Sequence, residues 1–179
     1  MANILLGATG SVAVYKSVEL VRSFFKKGHN VRVVLTPSAM RFVLPAQFLS
    51  IGAEKCLWKM FPEGEVLGQT HISLSDWADV FVIAPASANS LGKMANGIAD
   101  NLLLAVFLAM GEKPVIMAPA MNSRMWDSAP VQENVRRLKE IGCFFVLPAV
   151  GMLADGKKGI GHLAQIKKIE ESVLSAICG

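Results

Sequence analysis

The feature of this sequence that most constrains its fold is the regular alternation of short apolar segments with helical patterns. Each apolar segment is rich in β-branched or aromatic residues and is followed by a Gly-, Pro- or Ser-rich turn, which is typical of a buried strand. The segments are NILLGA (3–8), NVRVVLT (30–36), DVFVIAPA (79–86), KPVIMAPA (113–120) and CFFVLPA (143–149). Helices are predicted at 11–27, 42–49, 90–110, 131–141 and 163–177. This alternation predicts an α/β fold, in which a parallel sheet carries helices on both faces.

The length of 179 residues is typical of one domain. Because the chain contains no internal repeat or Pro/Ser-rich linker, we expect residues 1–179 to form a single domain. Hydrophobic residues make up 53% of the chain and charged residues 18%. The apolar, charge-free stretch 101–110 is too short to cross a bilayer, so no membrane span is expected. The apolar excess instead predicts a deeply buried sheet and a surface partly covered by partner subunits.

The beginning of the chain and its cysteines predict a cytoplasmic location. No basic segment precedes an apolar stretch with a small-residue cleavage site, because the first strand begins at once. The cysteines Cys56, Cys143 and Cys178 are odd in number and far apart. This pattern favours reduced thiols over disulfides or a metal cluster. The net charge of +4 is spread along the chain and does not indicate a nucleic-acid partner.

Two turns after predicted strands carry glycines and hydroxyl groups. In open α/β sheets, ligands bind at the carboxyl ends of the strands. After the first strand, Gly10 permits close approach of the backbone, and Ser11 is the predicted N-cap of the next helix. After the second, Thr36 and Ser38 offer hydroxyls at the same edge. Together they favour a phosphate without an ATP-type lysine or magnesium site, as in FMN. A tight turn and simple helix capping remain the alternatives.

Two further segments combine small, amide-bearing and apolar side chains. The third strand runs into PASANS (85–90), whose members Ser87, Ala88, Asn89 and Ser90 would let a flat ring lie against the backbone while amides bond its edge. The fourth strand runs into PAMNSRMW (119–126), which places an asparagine, methionines and a tryptophan on a loop. His71 precedes a short helix-like segment, and an isolated histidine of this kind is more often structural than catalytic.

With GATGS, HISL, PASANS and PAMNSRMW in this order, the chain resembles the homo-oligomeric flavin-containing cysteine decarboxylases. This family includes phosphopantothenoylcysteine decarboxylases and lantibiotic peptidyl-cysteine decarboxylases, and the likeness spans essentially the whole chain. The resemblance implies a flavodoxin-like (Rossmann-like) three-layer fold. It also implies FMN as the cofactor and a homotrimer, often packed into a homododecamer, with active sites at subunit contacts. The cofactor would be bound by Gly10, Ser11, Thr36, Ser38, Ser87, Ala88, Asn89 and Ser90.

The resemblance also implies roles for three side chains. Asn122 would bind the substrate carboxylate, and Met125 would help to form the pocket beside the flavin. His71 matches the essential histidine of the family, which reverses the reading of it as structural. It would serve as a base for the substrate thiol or would position the substrate. The implied reaction is oxidative decarboxylation of a cysteine moiety, in which oxidation at the carbon that bears sulfur allows carbon dioxide to leave and an enethiolate to remain.

The segment LADGKKGIGHLAQI (153–166) departs from the pattern of the substrate-covering flap. Asp155 stands where the coenzyme A branch of the family has a cysteine that completes reduction of the enethiol, and His162 replaces an arginine. Asp155 cannot act as a thiol donor. Either the product remains an oxidised aminoenethiol, or Asp155 or His162 donates the proton instead. Lys157 and Lys158 are candidates for contact with a substrate phosphate, although loop lysines are usually only solvated.

Three functions compete at this point. The leading hypothesis is FMN-dependent decarboxylation of 4′-phosphopantothenoylcysteine to 4′-phosphopantetheine in coenzyme A biosynthesis, because the overall likeness is closest to that branch. The second is oxidative decarboxylation of the C-terminal cysteine of a ribosomal peptide. The third is a flavin-binding regulatory subunit without catalysis, against which the retention of His71 and Asn122 argues. A flavin prenyltransferase ranks last, because that group has a different site in place of PAMNSRMW.

Overall fold

A computed structural model describes residues 1–61, 69–152, 156 and 158–178 of this protein. Its centre is a parallel sheet in which the strands lie in the order β3-β2-β1-β4-β5-β6. The strands are β1 (Asn3–Ala8), β2 (Asn30–Leu35), β3 (Lys55–Leu57), β4 (Val80–Ala86), β5 (Val115–Pro119) and β6 (Phe144–Phe145). A separate antiparallel hairpin is formed by β7 (Ala149–Met152) and β8 (Lys158–His162).

Helices connect the strands and cover both faces of the sheet. They are α1 (Tyr15–Lys26), α2 (Pro45–Leu49), α3 (Thr70–Trp77), α4 (Ala88–Ala95), α5 (Leu102–Ala109), α6 (Ser123–Trp126), α7 (Ala129–Glu140) and α8 (Ile166–Cys178). Short 3-10 turns at Val12–Val14 and Ala39–Arg41 follow β1 and β2. No helix in the described part of the chain is long and apolar enough to cross a membrane.

Alternation along the strands divides the apolar core into two layers. On one face, Leu6 and Val33 pack with Phe24 of α1 and with apolar residues of α8. On the other face, Leu5 and Phe81 pack with residues of α3, α4, α5 and α7. Removing each such side chain from water contributes about 1.5–3 kcal/mol, so the strands are fixed in register from both sides. The predicted three-layer α/β fold is therefore confirmed.

The order of the strands places a crevice between β1 and β4. Without the three-residue edge strand β3, the order β2-β1-β4-β5-β6 is that of a flavodoxin-like sheet, and with β3 it is the doubly wound dinucleotide-binding order. In both orders, β2 lies on one side of β1 and β4 lies on the other. Ligands bind at this switch point, outside the carboxyl ends of the two strands, because the connecting helices diverge there.

The predicted elements differ from the observed ones in several places. The helix predicted at 90–110 is wrong, because α4 ends at Ala95 and the side chain of Asn101 accepts a hydrogen bond from Leu104 N to begin α5. The fifth strand is shorter than predicted and ends at Phe145, before Pro148, which has no backbone N–H to donate. Strand β3 and the hairpin were not predicted as strands.

Candidate cofactor and substrate clefts

The turn after β1 begins with a capped helix start. Ser11 has extended backbone angles, and its hydroxyl accepts a hydrogen bond from Ala13 N at 3.4 Å. The carbonyl of Ser11 also accepts a bond from Val14 N. The predicted N-cap at Ser11 is therefore confirmed, and the first amides of the helical segment face the carboxyl edge of the sheet.

The first and second turns meet at Gly10. A Cβ added at Gly10 would lie 2.5 Å from Ser38 Cβ, so only glycine allows the two turns to approach this closely. Thr36 is buried, and its hydroxyl accepts a hydrogen bond from Ala39 N at 3.2 Å. The helix-capping role that the sequence left open as an alternative for Thr36 is therefore observed. Ser38 is exposed and makes no cap with its side chain.

Thr9 joins the turn after β1 to the turn after β4. Its side chain is fully buried, donates to Pro85 O at 2.7 Å and accepts from Ser87 N at 2.8 Å. Thr9 was not predicted as a site residue, although its position directly after β1, at the switch point, is typical of residues that form a ligand site. Thr9 N also donates to Pro85 O at 3.2 Å, so the backbone and the hydroxyl of Thr9 together fix the distance between the two turns.

The beginning of α4 forms the third wall. Ser87 is the N-cap and accepts a hydrogen bond from Ser90 N at 3.3 Å, while the two hydroxyls lie 3.2 Å apart. Ser90 is buried, Ala88 is half-buried and Asn89 is exposed. The small side chains leave the first turn of α4 accessible, and its free amide groups favour an anion or a carbonyl oxygen of a ligand.

These turns line the larger of two adjoining clefts, with a volume of about 630 Å³. All eight residues that the sequence analysis assigned to the cofactor lie in its wall. The volume is in the range of cofactor sites, about 300–1,000 Å³. The hydroxyls and the Gly10 turn can hold a phosphate, and the small residues of α4 can hold a flat ring. The residues present therefore fit FMN.

The loop after β5 forms the remaining wall. Asn122 is the N-cap of α6, where its Oδ1 accepts from Arg124 N at 2.9 Å. Trp126 is buried in the second apolar core and anchors the loop, whereas Met125 is 49% exposed and lines the larger cleft. The apolar surface of this segment thus divides into a core anchor and a methionine that faces the cleft.

A smaller cleft of about 310 Å³ adjoins the first. Asn122 belongs to the walls of both. His162 of β8 lines the smaller cleft and donates a hydrogen bond from Nε2 to Met152 O of β7. Apolar side chains, among them Val12, Tyr15 and Met152, form most of the rest. The structure therefore places His162 and Asn122 in the wall of the same cleft.

The hairpin β7–β8 is joined to the Asn122 loop at Gly161. Met121 N donates to Gly161 O at 3.0 Å. Gly161 has φ +144°, and a Cβ added there would lie 2.1 Å from Met121 O, so no other residue fits without displacing this contact. The base of the hairpin, which is the predicted flap, is therefore fixed against the loop that carries Asn122.

The other predicted substrate residues do not all reach these clefts. His71 is half-buried near the start of α3 and does not line either cleft of this single chain. Asp155 and Lys157 lie outside the described residues.

Two cysteine thiols can be placed relative to the clefts. Cys56 and Cys143 are free, and neither lines either of the two adjoining clefts. Burial raises the pKa of the Cys56 thiol to about 12 and that of Cys143 to about 11. Both therefore remain protonated and poorly reactive at neutral pH.

Comparison with known sequences places the whole length of this chain in one group. A family model described as Flavoprotein matches residues 1–178. The coenzyme A biosynthesis bifunctional protein CoaBC of Bacillus subtilis is 41% identical over 167 residues, which cover 93% of this chain and 41% of that protein. The probable phosphopantothenoylcysteine decarboxylase of Streptococcus mutans is 37% identical over 175 residues, which cover 95% of this chain and 98% of that protein. The chain thus spans about two fifths of the bifunctional relative.

Two solved structures share the fold along nearly the full length. A PPC decarboxylase mutant complexed with pantothenoylaminoethenethiol is 36% identical, covers 97% of both chains and superposes with a TM-score of 0.86. SpaF, described as an FMN-dependent cysteine decarboxylase, is 30% identical, covers 100% of this chain and 98% of its own, and also has a TM-score of 0.86. The backbones of the two neighbours superpose on this chain with the same TM-score, and their sequence identities to it differ.

Proposed function

Because this chain belongs to the flavoprotein family and resembles its cysteine decarboxylases throughout, we propose that it decarboxylates 4′-phosphopantothenoylcysteine to 4′-phosphopantetheine with FMN as cofactor. One FMN-binding domain formed by residues 1–179 would carry this step of coenzyme A biosynthesis. The free thiols of Cys56 and Cys143 favour a cytoplasmic setting. The likeness to a probable phosphopantothenoylcysteine decarboxylase over 98% of its length favours this substrate over a peptide.

The observation that carries the proposal is the position of Asn122 in the wall common to both clefts. A cofactor in the larger cleft and a cysteine substrate in the smaller one would meet at this residue. Decarboxylation requires a carboxylate that is held in one orientation and separated from water. Asn122 Oδ1 is engaged with Arg124 N, so Nδ2 is the group of this amide that would donate to the carboxylate.

The other side chains would bind and shield the substrate. FMN, when bound, would supply the two-electron oxidation at the carbon that bears sulfur and the reduction that follows. Met125 would cover the reacting atoms with an apolar thioether and exclude water from the leaving carboxylate. His162 would contact the substrate from the flap, since it lines the smaller cleft. The proton that completes reduction would come from His162 or from Asp155.

We propose further that the active site is completed by a neighbouring subunit in a homotrimer or a homododecamer. His71 does not line either cleft of its own chain. Apolar side chains near the carboxyl edge are strongly exposed: Val12 is 61% exposed, Tyr15 56%, Phe42 55% and Leu44 61%. An exposed apolar surface of this kind favours association. A second copy would cover it and bring its His71 to the Asn122 of this chain.

Mixed oligomers test this arrangement. His71→Asn and Asn122→Asp are each expected to abolish carbon dioxide release while FMN remains bound. If the two residues reach one site from different subunits, an equimolar mixture assembled together regains up to about a quarter of the sites. Activity that stays at the level of the separate variants, in oligomers shown by native mass spectrometry to be mixed, would show that both residues act from one chain.

Mass spectrometry of a single-turnover reaction tests the chemistry. The FMN-loaded protein is mixed anaerobically with 4′-phosphopantothenoylcysteine or with a peptide that ends in cysteine, and the flavin spectrum is recorded. The proposal predicts loss of carbon dioxide alone from the phosphorylated substrate, with FMN returned to the oxidised form. Loss of carbon dioxide and two hydrogens, with FMN left reduced, would mean that the aminoenethiol is the product. Turnover of the peptide alone would favour the second function, and bound FMN without turnover would favour a regulatory subunit.

A further inference from the structure

An ion pair lies in the wall of the larger cleft, at the end of α4. The ammonium group of Lys93 donates to Oδ2 of Asp100, and the side-chain amide of Asn101 donates to Oδ1 at 3.0 Å. Both oxygens of the carboxylate are therefore engaged. Lys93 belongs to α4, and Asp100 directly precedes the N-cap of α5. The pair connects the two helices across residues 96–99.

The pair supplies the charges of the cleft. Among the described residues that line the larger cleft, Lys93 and Asp100 are the ones with ionised side chains. The hydrogen bond from Lys93 holds the pKa of the Asp100 carboxyl below its ordinary value, so this carboxyl is ionised at neutral pH. The side chain of Lys93 is 28% exposed and that of Asp100 is 50% exposed. Solvent therefore screens the cation less than it screens the carboxylate.

A bound flavin responds to such charges because reduction adds electrons to its ring system. A cation in the wall favours the reduced form, and a carboxylate favours the oxidised form. We propose that Lys93 and Asp100 act as opposed charges that set the reduction potential of FMN in this cleft. Lys93 raises the potential, and Asp100 moderates this effect by neutralising the ammonium group. The inference rests on FMN occupying the larger cleft, as in the proposed function.

The alternative is that the ion pair only joins α4 to α5 and has no electrostatic effect on the flavin. The two accounts predict different signs. If the pair only clasps the helices, removal of either partner breaks the same bond, so both variants change the potential in the same direction or leave it unchanged. If the charges act on the flavin, removal of the cation and removal of the anion change the potential in opposite directions.

The experiment measures the reduction potential of bound FMN by equilibration with a reference dye, without substrate, in Lys93→Gln, Asp100→Asn and the double variant. Lys93→Gln is expected to lower the potential and Asp100→Asn to raise it, each with about a fivefold or larger change in the ratio of the affinities for reduced and oxidised FMN. The double variant is expected to be close to the wild type. Lys93→Arg keeps the charge and is expected to retain the potential.

A matched control comes from α7, where the exposed pair of Glu133 and Arg136 lies outside both clefts. Glu133→Gln is expected to leave the potential unchanged. Shifts of Lys93→Gln and Asp100→Asn in one direction, or no shift in either with FMN bound, would overturn the inference and leave the proposed function intact. Failure of the wild-type protein to bind FMN would overturn both, since it would remove the cofactor from the larger cleft.

Discussion

The two adjoining clefts are built in different ways. The larger cleft is held by hydrogen bonds within one chain: Thr9 joins the turns after β1 and β4, and Thr36 and Ser87 cap the segments that follow β2 and β4. The smaller cleft is bordered by exposed apolar side chains, such as Tyr15 and Met152. The comparison indicates that hydrogen bonds within one chain preorganise the larger cleft, whereas the flap and the subunit contacts that we propose would complete the smaller one.

The largest effect is expected where the two clefts meet. Asn122→Asp keeps an oxygen that can cap α6 and places a negative charge opposite the substrate carboxylate. Decarboxylation is therefore expected to fall at least about a hundredfold while FMN affinity stays within about twofold, as measured by carbon dioxide release and flavin fluorescence titration. Asn122→Ser, which also caps but adds no charge, is the control. A parallel loss of FMN would show that Asn122 belongs to the cofactor side.

A substitution at Gly10 is expected to act on the larger cleft first. Gly10→Ala places a Cβ about 2.5 Å from Ser38 Cβ, which forces the first two turns apart. Overpacking of this kind costs about 1–3 kcal/mol, so FMN affinity is expected to fall about tenfold or more. The double variant Gly10→Ala/Ser38→Gly removes the clash and is expected to recover part of the affinity. If it recovers none, steric contact with Ser38 is not the cause of the loss.

A smaller effect is expected from the link between two walls of the larger cleft. Thr9→Val keeps the shape of the side chain but removes the acceptor of Ser87 N and one of the two donors to Pro85 O. Denaturant unfolding of the FMN-free protein is expected to show a loss of about 1–3 kcal/mol. Thr9→Ser retains the hydroxyl and is expected to lose less. Equal losses in the two variants would assign the stabilisation to the methyl group.

The smallest effect is expected from the two described thiols. Cys143 is buried beside β6 and does not line either of the two adjoining clefts, and burial raises the pKa of its thiol to about 11, so we expect it to take no part in the reaction. Cys56→Ala and Cys143→Ala are expected to leave the mass of the reaction product unchanged and the turnover number within about twofold of the wild type. A switch to the aminoenethiol in either variant would show that this thiol takes part in reduction.

The sequence was sufficient to predict the elements whose apolar residues follow a regular pattern. The strands with β-branched apolar residues and the polar turns at their carboxyl ends were predicted, because a parallel sheet gathers those ends at one edge. Strand β3 has three residues and no alternation, and the hairpin β7–β8 is largely exposed, so neither gave a hydrophobic signal. The break between α4 and α5 was hidden by the apolar run that follows Asn101.

The site was predictable to a similar degree. Residues on the turns after β1, β2 and β4 were identified, because hydroxyl groups and glycines at such turns commonly bind phosphate. Thr9 was missed because its function depends on a partner 78 residues away. The pair of Lys93 and Asp100 joins two helices across a turn that was predicted as continuous helix. In the proposed assembly, the position of His71 relative to Asn122 would be set by subunit association, which the pattern of one chain does not specify.

The contact between Gly161 and Met121 has a consequence for how this protein can change over evolution. It holds the hairpin against the Asn122 loop at Gly161, near the end of β8. The residues between Met152 and Lys158 connect β7 to β8 at the other end of the hairpin. We expect exchange of that segment to leave the hydrogen bonds that Thr9, Thr36 and Ser87 make around the larger cleft in place. If the residue at position 155 decides the fate of the product, as we propose, that fate could diverge among descendants while the machinery that removes carbon dioxide is inherited intact.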